Sequence, residues 1–304
     1  MSCIADYGKQ RIRTAIENGS LSHAVLITGD SYICAELVRY AASLLFDKSE
    51  SEADEIQDFF YADGKTLRVA DTEELLNEIN VTPNSGVRLI SVRNAGYMSQ
   101  TVQNMLLKTV EEPPPRNHFF FYGNESGLLP TIRSRCAVLV MGQPDYDSIA
   151  EYVQKQGASQ SDALYYAKLG GAVETAIRLY SDEEYRNFCM ECAAYICTMG
   201  RCSLFSDRQR DIAAVDAQRA AEIFDLALSD MFRLKLNMEP VFFTRSPQRE
   251  DIRECAGRLT EKELNAVRSY VLEMRKKLFV NAPAKQLFDN FAAKTEQVIY
   301  DGRK

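Results

Sequence analysis

Histidine is scarce in this chain, and long apolar segments are absent from its sequence. The only histidines among the 304 residues are His23 and His118, which leaves little material for a Ser-His-Asp hydrolase site. No run of about 18 apolar residues occurs, and the opening segment MSCIADYGKQRIR lacks the apolar stretch of a secretory signal. We therefore expect a cytoplasmic protein with no membrane partner.

An excess of positive charge is also missing. Lysine and arginine number 36 against 43 aspartates and glutamates, which gives a net charge of −7. A chain with this balance does not bind nucleic acid over its whole surface, so any DNA contact would need a local patch or helix N-termini. The basic run Arg275-Lys276-Lys277 is interpreted as a solvated helix face. The length predicts two or three domains with ample core.

The eight cysteines lack the arrangement of a zinc site. Cys189 and Cys192 have the spacing of half such a site, but the sequence holds no second pair with that spacing. Cys197 and Cys202 follow in the same stretch, and a helix over residues 182–200 would spread the sulfurs it contains around its axis. We predict free thiols in a reducing compartment and no metal.

Strands and helices alternate through residues 1–142, and only helices are predicted after them. A helix is predicted over Thr72–Asn80, and another is capped by Ser99 and ends before Pro113. Short apolar runs predict strands at 24–28, 67–70, 87–92, 118–122 and 137–141. This alternation predicts a parallel sheet with helices on both faces and a ligand site at the carboxyl ends of the strands.

The turn after the first strand holds a degenerate phosphate-binding loop. The pattern G-x-x-x-x-G-K-[ST] places backbone N–H groups, a lysine and a hydroxyl around phosphates and Mg²⁺. Gly29 supplies the first glycine, but Cys34, Ala35 and Glu36 replace the second glycine, the lysine and the hydroxyl. The strand at 87–92 is followed by Arg93-Asn94, where an ATPase needs acidic residues. We therefore expect no ATP hydrolysis and no cofactor.

An arginine directed at phosphate follows the aromatic strand. The tripeptide Ser134-Arg135-Cys136 lies in a turn, and an arginine fixed after a strand can present its planar fork of donors to phosphate. Because this chain lacks its own phosphate site, the arginine suggests a subunit that completes the site of a neighbour. The bland alternative is a surface salt bridge. The nearby Glu111-Glu112 is interpreted as a solvated helix end, and Phe119–Phe121 as a buried strand.

Two blocks carry a family resemblance. Asn104–Pro114 (NMLLKTVEEPP) and Leu129–Cys136 (LPTIRSRC) resemble the bacterial DNA polymerase III clamp-loader subunits of the AAA+ class, and in particular the catalytically silent ones. Three shorter stretches are similar to family members from low-GC bacteria: Asp63-Gly64-Lys65, Val81-Thr82-Pro83 and Asn281–Asp289. The resemblance implies an α/β AAA+ (P-loop NTPase-like) parallel-sheet domain over 1–142, a small helical lid over 143–185 and an all-α C-terminal oligomerisation (collar) domain over 186–304.

The resemblance also implies roles. Arg135 would act in trans on the ATP of a neighbouring tau/gamma subunit, while Ser134 and Cys136 fix the turn. Tyr122 takes the sensor position, and Glu174 takes the lid position where active relatives place an arginine. The implied partners are the tau/gamma and delta subunits, with the sliding clamp and primed DNA reached through the complex.

Departures from the family pattern leave alternatives open. The zinc module that usually follows the P-loop helix needs four cysteines, and Phe46–Lys65 contains none. The first alternative is an autonomous AAA+ ATPase of the tau/gamma or helicase-loader type. The second is an interaction module outside replication that uses the same inactive fold.

Overall fold

Five parallel strands form the single sheet of the described chain. A computed structural model describes residues 3–123, 125–204, 206–279 and 282–301; Asn281, the first residue of one block of the resemblance, lies outside these ranges. The strands are β1 (Ala24–Thr28), β2 (Phe59–Asp63), β3 (Arg88–Arg93), β4 (Asn117–Tyr122) and β5 (Ala137–Val140). Their order is β2-β3-β4-β1-β5, with parallel pairing throughout. Strand β1 and the turn after it therefore lie inside the sheet, between β4 and β5.

Helices alternate with these strands and make up the regular structure after them. Those of the first half are α1 (Cys3–Glu17), α2 (Ser31–Phe46), α3 (Val69–Ile79), α4 (Gln100–Glu111) and α5 (Pro130–Arg133). Those that follow are α6 (Tyr146–Lys155), α7 (Gln160–Gly170), α8 (Val173–Ser181), α9 (Glu183–Ile196), α10 (Asp207–Lys235), α11 (Gln248–Arg258), α12 (Glu261–Phe279) and α13 (Ala284–Asp301). Within the described ranges, no helix is both long and apolar enough to span a membrane.

The central strands are buried on both faces, as their continuous apolar sequences predict. The side chains of Phe119, Phe120 and Phe121 on β4 are fully buried, and so are Leu26 and Ile27 on β1. The buried-strand interpretation of the phenylalanine run is confirmed. A rigid, double-covered sheet fixes the positions of the turns at its carboxyl end.

The prediction of a strand at residues 67–70 is wrong. Val69 begins α3, because the Asp71 carboxylate accepts a hydrogen bond from the Arg68 amide at 3.0 Å and so supports the first helical turn. The sheet contains β2 instead, which the prediction omitted. Its sequence FFYAD carried a signal, since aromatic residues bounded by polar residues and a glycine favour a strand.

Contacts along the chain define two compact units. One contains the residues up to Tyr152 together with Ala172–Glu174, and the other contains Val153–Gly171 and the residues from Thr175 onward. In the second unit, Phe224 of α10 packs against the rings of Tyr195, Phe288 and Phe291 at centroid distances of 5.7, 5.9 and 5.6 Å. The separate lid over 143–185 and collar over 186–304 stay predictions.

Candidate functional site

The segment after β1 is a helix where an active relative would have a phosphate-binding loop. Only Gly29 and Asp30 separate β1 from α2, which begins at Ser31. The Cys34 amide donates to the Asp30 carbonyl at 2.9 Å, in helical geometry. The Cys34 thiol donates to the Ile27 carbonyl at 3.8 Å, and burial raises its pKa to about 12. The backbone N–H groups between the two glycine positions therefore do not open into a cradle.

A carboxylate of the chain itself occupies the N-terminus of α2. Asp30 Oδ1 accepts hydrogen bonds from the amides of Tyr32 at 2.9 Å and Ile33 at 3.3 Å. Its Oδ2 accepts from the amide of Val173, the first residue of α8, at 3.0 Å. Asp30 is 5% exposed. Helix N-termini bind anionic oxygens of phosphates, and here an aspartate takes that position.

Glu36 is engaged in contacts within the fold. It forms an ion pair with Lys9 of α1 at 2.8 Å and accepts a hydrogen bond from the Tyr152 hydroxyl of α6 at 2.9 Å. The Tyr152 ring packs edge-on against Tyr32, with centroids 5.6 Å apart. Burial and the charge of Glu36 raise the pKa of Tyr152. The position that would hold a Mg²⁺-binding hydroxyl thus connects three helices of the first unit.

Arg93 and Glu174 form an ion pair. Arg93 Nε also donates to the Ser31 hydroxyl at 3.2 Å. Desolvation lowers the pKa of Arg93, but the charge of Glu174 and a hydrogen bond to Tyr61 outweigh it, so the pKa of Arg93 is raised. The sequence analysis treated these two residues as separate losses. The structure brings them together, with the signs of charge exchanged relative to an active member of the resembled family.

Asn94 holds the ends of two strands together. Its backbone is left-handed, with φ of 53°, and its Nδ2 lies 3.1 Å from each carboxylate oxygen of Asp63 at the end of β2. Both oxygens of that carboxylate therefore accept from an amide. Asn94, which stands where an ATPase needs an acidic residue, therefore fixes the ends of β2 and β3 relative to each other.

A cavity of about 250 Å³ lies beside Arg93. The hydroxyl residues Ser91 and Tyr122 line it, and among its lining residues the sole carboxylate is the paired Glu174. Burial raises the pKa of Tyr122, at the sensor position, to about 12, so its hydroxyl is neutral. Mg²⁺ prefers one or two carboxylates together with phosphates and water. A lining in which an arginine neutralises the one acid is poorly suited to that ion.

Arg135 lies exposed in the turn between α5 and β5. Its Nη1 donates to the Thr131 carbonyl at 2.8 Å, and its Nη2 lies 2.6 Å from Oε1 of Glu111, the last residue of α4. The Arg135 side chain is 38% exposed. The guanidinium is thus accessible to a second protein and anchored at two points.

The flanking residues fix this turn. The Ser134 hydroxyl donates to the Thr131 carbonyl at 3.1 Å, and the Cys136 thiol donates to the Ile132 carbonyl at 3.3 Å. Burial raises the pKa of Cys136 to about 11, which keeps it a thiol at neutral pH. These contacts support the structural roles expected of both residues.

Gln103 is a positioning residue that the sequence analysis missed. It is 2% exposed on α4, donates from Nε2 to the Gly127 carbonyl at 2.9 Å and accepts at Oε1 from the Leu129 amide at 2.7 Å. These bonds fasten the loop before α5 to α4. The cap at Asp30 was also missed, although an aspartate directly before a helix is a capping signal. Glu111 was named only as part of a solvated helix end, without its contact to Arg135.

The cysteine stretch contributes to the helical unit. Cys189, Cys192 and Cys197 are buried free thiols, whereas Cys202 is exposed. Burial raises the pKa of Cys189 and of Cys192. In the part of the chain that the structure describes, no group of three or more His, Cys, Asp or Glu residues is placed to hold a metal ion.

Comparisons with known sequences point to the replication machinery. Residues 6–145 match the model of a family described as DNA polymerase III, delta subunit. DNA polymerase III subunit delta' of Escherichia coli (strain K12) is 26% identical over 220 residues, which cover 70% of this chain and 64% of that protein. Subunit delta' of Haemophilus influenzae is 31% identical over 84 residues, 27% of this chain and 26% of that protein. The matches span less than two thirds of either relative.

A solved structure supports the fold. The DNA polymerase III gamma subunit-related protein of Thermotoga maritima has a TM-score of 0.50 and 17% identity, covering 97% of this chain and 99% of that one. At this identity the likeness concerns the fold alone, and it confirms the expected architecture of a parallel-sheet domain followed by helices. Over residues 6–145, which contain both sequence blocks of the resemblance, the chain is similar to DNA polymerase III clamp-loader subunits of the delta prime type.

Proposed function

We propose that this chain is a non-catalytic clamp-loader subunit, the delta prime subunit of DNA polymerase III, that supplies a trans arginine finger. The observation that carries the proposal is the contrast between two sites. Asp30 occupies the N-terminus of α2 and Arg93 is paired with Glu174 at the end of β3, while Arg135 is exposed on an anchored turn. A guanidinium there can stabilise charge on a phosphoryl group bound by another subunit.

In the proposed reaction, Arg135 acts on ATP that is bound by the neighbouring subunit. Arg135 contacts the γ-phosphate of an adjacent tau/gamma subunit, senses its presence and stabilises the charge that develops during hydrolysis. The chain itself performs no ATP hydrolysis. Trans arginines of this kind are worth about 10³–10⁵ in rate at the site they serve.

Assembly is proposed to use the helices from about residue 186 onward. This part joins tau/gamma and delta, and the complex loads the sliding clamp onto primed DNA in the cytoplasm. Affinity capture of the tagged full chain from native lysate tests this proposal by scoring tau/gamma, delta and the clamp. Capture of other proteins without these three would favour an interaction module outside replication.

Replacement of Arg135 tests the finger role. In a reconstituted complex, Arg135→Ala should silence the one site it serves, so ATPase activity stimulated by DNA and clamp should fall by that site's share. Arg135→Lys keeps the charge but loses the planar fork and should rescue little. Gel filtration should show an intact complex for both variants. An unchanged stimulated rate in an intact Arg135→Ala complex would contradict the finger role.

A further inference from the structure

The ion pair between Arg135 and Glu111 is a surface salt bridge, the role that the sequence analysis gave as the alternative to a finger. Glu111 Oε1 lies 2.6 Å from Arg135 Nη2, and both side chains are 38% exposed. Glu111 ends α4, and the chain turns into Pro113–Pro115 after it. The pair therefore connects the C-terminal end of α4 to the turn that holds the finger.

A carboxylate at this position is unfavourable without a cation. Glu111 lies at the negative end of the α4 dipole, where acidic side chains are disfavoured. Arg135 places a positive charge directly against Glu111, in addition to Lys108 in the last turn of α4. A solvated helix end would not require such a partner, so the earlier interpretation of Glu111 as a merely exposed acid is incomplete.

The remaining geometry is suited to a second anion. A guanidinium has five N–H donors, and the described contacts of Arg135 reach three acceptor groups: the Thr131 carbonyl, the Ser134 hydroxyl at 3.5 Å and Glu111. Two N–H donors are therefore left for a phosphate oxygen. The anchoring groups also restrict the rotamers of a long side chain that would otherwise be ordered only on assembly.

We propose that Glu111 is a positioning residue that holds the Arg135 guanidinium in place for the neighbour's γ-phosphate. This inference rests on the proposed finger role. Glu111 acts only through Arg135 and does not touch the nucleotide. Its contribution is the ordering of one flexible side chain before the reaction, which corresponds to about two- to tenfold in rate at the served site.

Three variants in the reconstituted complex test the proposal, with Arg135→Ala measured beside them. Glu111→Ala should remove between about half and nine tenths of the stimulated rate that Arg135→Ala removes, with a larger effect on kcat than on KM for ATP. Glu111→Ala combined with Arg135→Ala should be no slower than Arg135→Ala alone. Glu112→Ala, a matched change at the adjacent exposed acid, should match the unmodified complex.

Each outcome decides one question. Wild-type kinetics for Glu111→Ala, while Arg135→Ala is slow, would overturn the positioning role but leave the finger intact. A faster Glu111→Ala complex would also overturn it, because Glu111 would then compete with phosphate. An unchanged Arg135→Ala complex would contradict the finger role itself. If Glu111→Ala fails to assemble, Glu111→Gln replaces it, with a rate loss expected in the same direction and the same wild-type result overturning the role.

Discussion

At the scale of single residues, Gly29 is required by backbone geometry. Its φ is 141°, and a Cβ atom there would lie 2.8 Å from the carbonyl oxygen of Gly142. The first glycine of the degenerate motif therefore serves the close passage of two backbone segments. This requirement exists whether or not a phosphate is ever bound.

Gly29→Ala should destabilise the chain by about 3 kcal/mol, since it combines a strained φ with a backbone clash. Gly19→Ala is the matched control, because Gly19 also has a positive φ, 61°, but nothing lies within 4 Å of its added Cβ. The control should lose about 1 kcal/mol. Urea unfolding followed by circular dichroism measures both values. Equal losses would show that the approach of Gly142 is not a constraint.

At the scale of secondary-structure elements, one carboxylate caps two helices. Asp30 accepts from amides at the N-terminus of α2 and from the first amide of α8. Ser99, by comparison, caps only α4, accepting from the Val102 amide at 3.3 Å. The number of helix amides satisfied by the side chain thus differs between two otherwise similar caps.

Asp30→Ala should therefore cost about 2 kcal/mol of unfolding free energy or more, against about 1 for Ser99→Ala. Asp30→Asn keeps a capping oxygen and should lose less than Asp30→Ala. Hydrogen exchange should also rise at the Ile33 and Val173 amides in the alanine variant. Protection unchanged at Val173 would show that the second cap contributes nothing.

The elements differ in how far the sequence foretells them. Apolar runs predicted β1, β3 and β4, because burial on both faces demands continuous hydrophobic residues. An apolar run also predicted β5, although this edge strand is largely exposed. The strand β2 was missed. The run at 67–70 was misassigned, since a short apolar run is compatible with either a strand or the first turn of a helix.

The contacts of the site depend on partners distant along the chain. Arg93 and Glu174 are 81 residues apart, and Asp30 and Val173 are 143 apart. Local patterns contain no information on such pairs. The degenerate motif and the tripeptide around Arg135 were identifiable because each depends on adjacent residues. The partner of Arg135, Glu111, emerged only from the fold.

At the scale of the whole molecule, the turn after β1 differs from a P-loop by more than the replaced motif residues. Helix α2 begins one turn early, Asp30 fills its N-terminus, and Arg93 pairs with Glu174. These features reinforce one another, since the helical start presents the amides that Asp30 caps. Repair of the motif alone would leave all three in place.

Restoration of the motif residues should therefore fail to restore function. The triple variant Cys34→Gly, Ala35→Lys and Glu36→Thr should bind Mg·ATP with a Kd weaker than about 1 mM and should not hydrolyse it. Isothermal titration of this variant and of the unmodified chain measures the affinity, with a tau/gamma subunit as positive control. Micromolar binding by the variant would show that sequence alone blocked the site, and micromolar binding by the unmodified chain would favour the autonomous ATPase.

The aspartate at the start of α2 has a consequence for energy sensing. A ligand that is covalently part of the polypeptide cannot be diluted, exchanged or consumed, so its occupancy does not vary with the cellular ratio of ATP to ADP. In the proposed complex, neighbouring subunits that follow that ratio would change state with each turnover, while the anion at the start of α2 in this chain would stay in place.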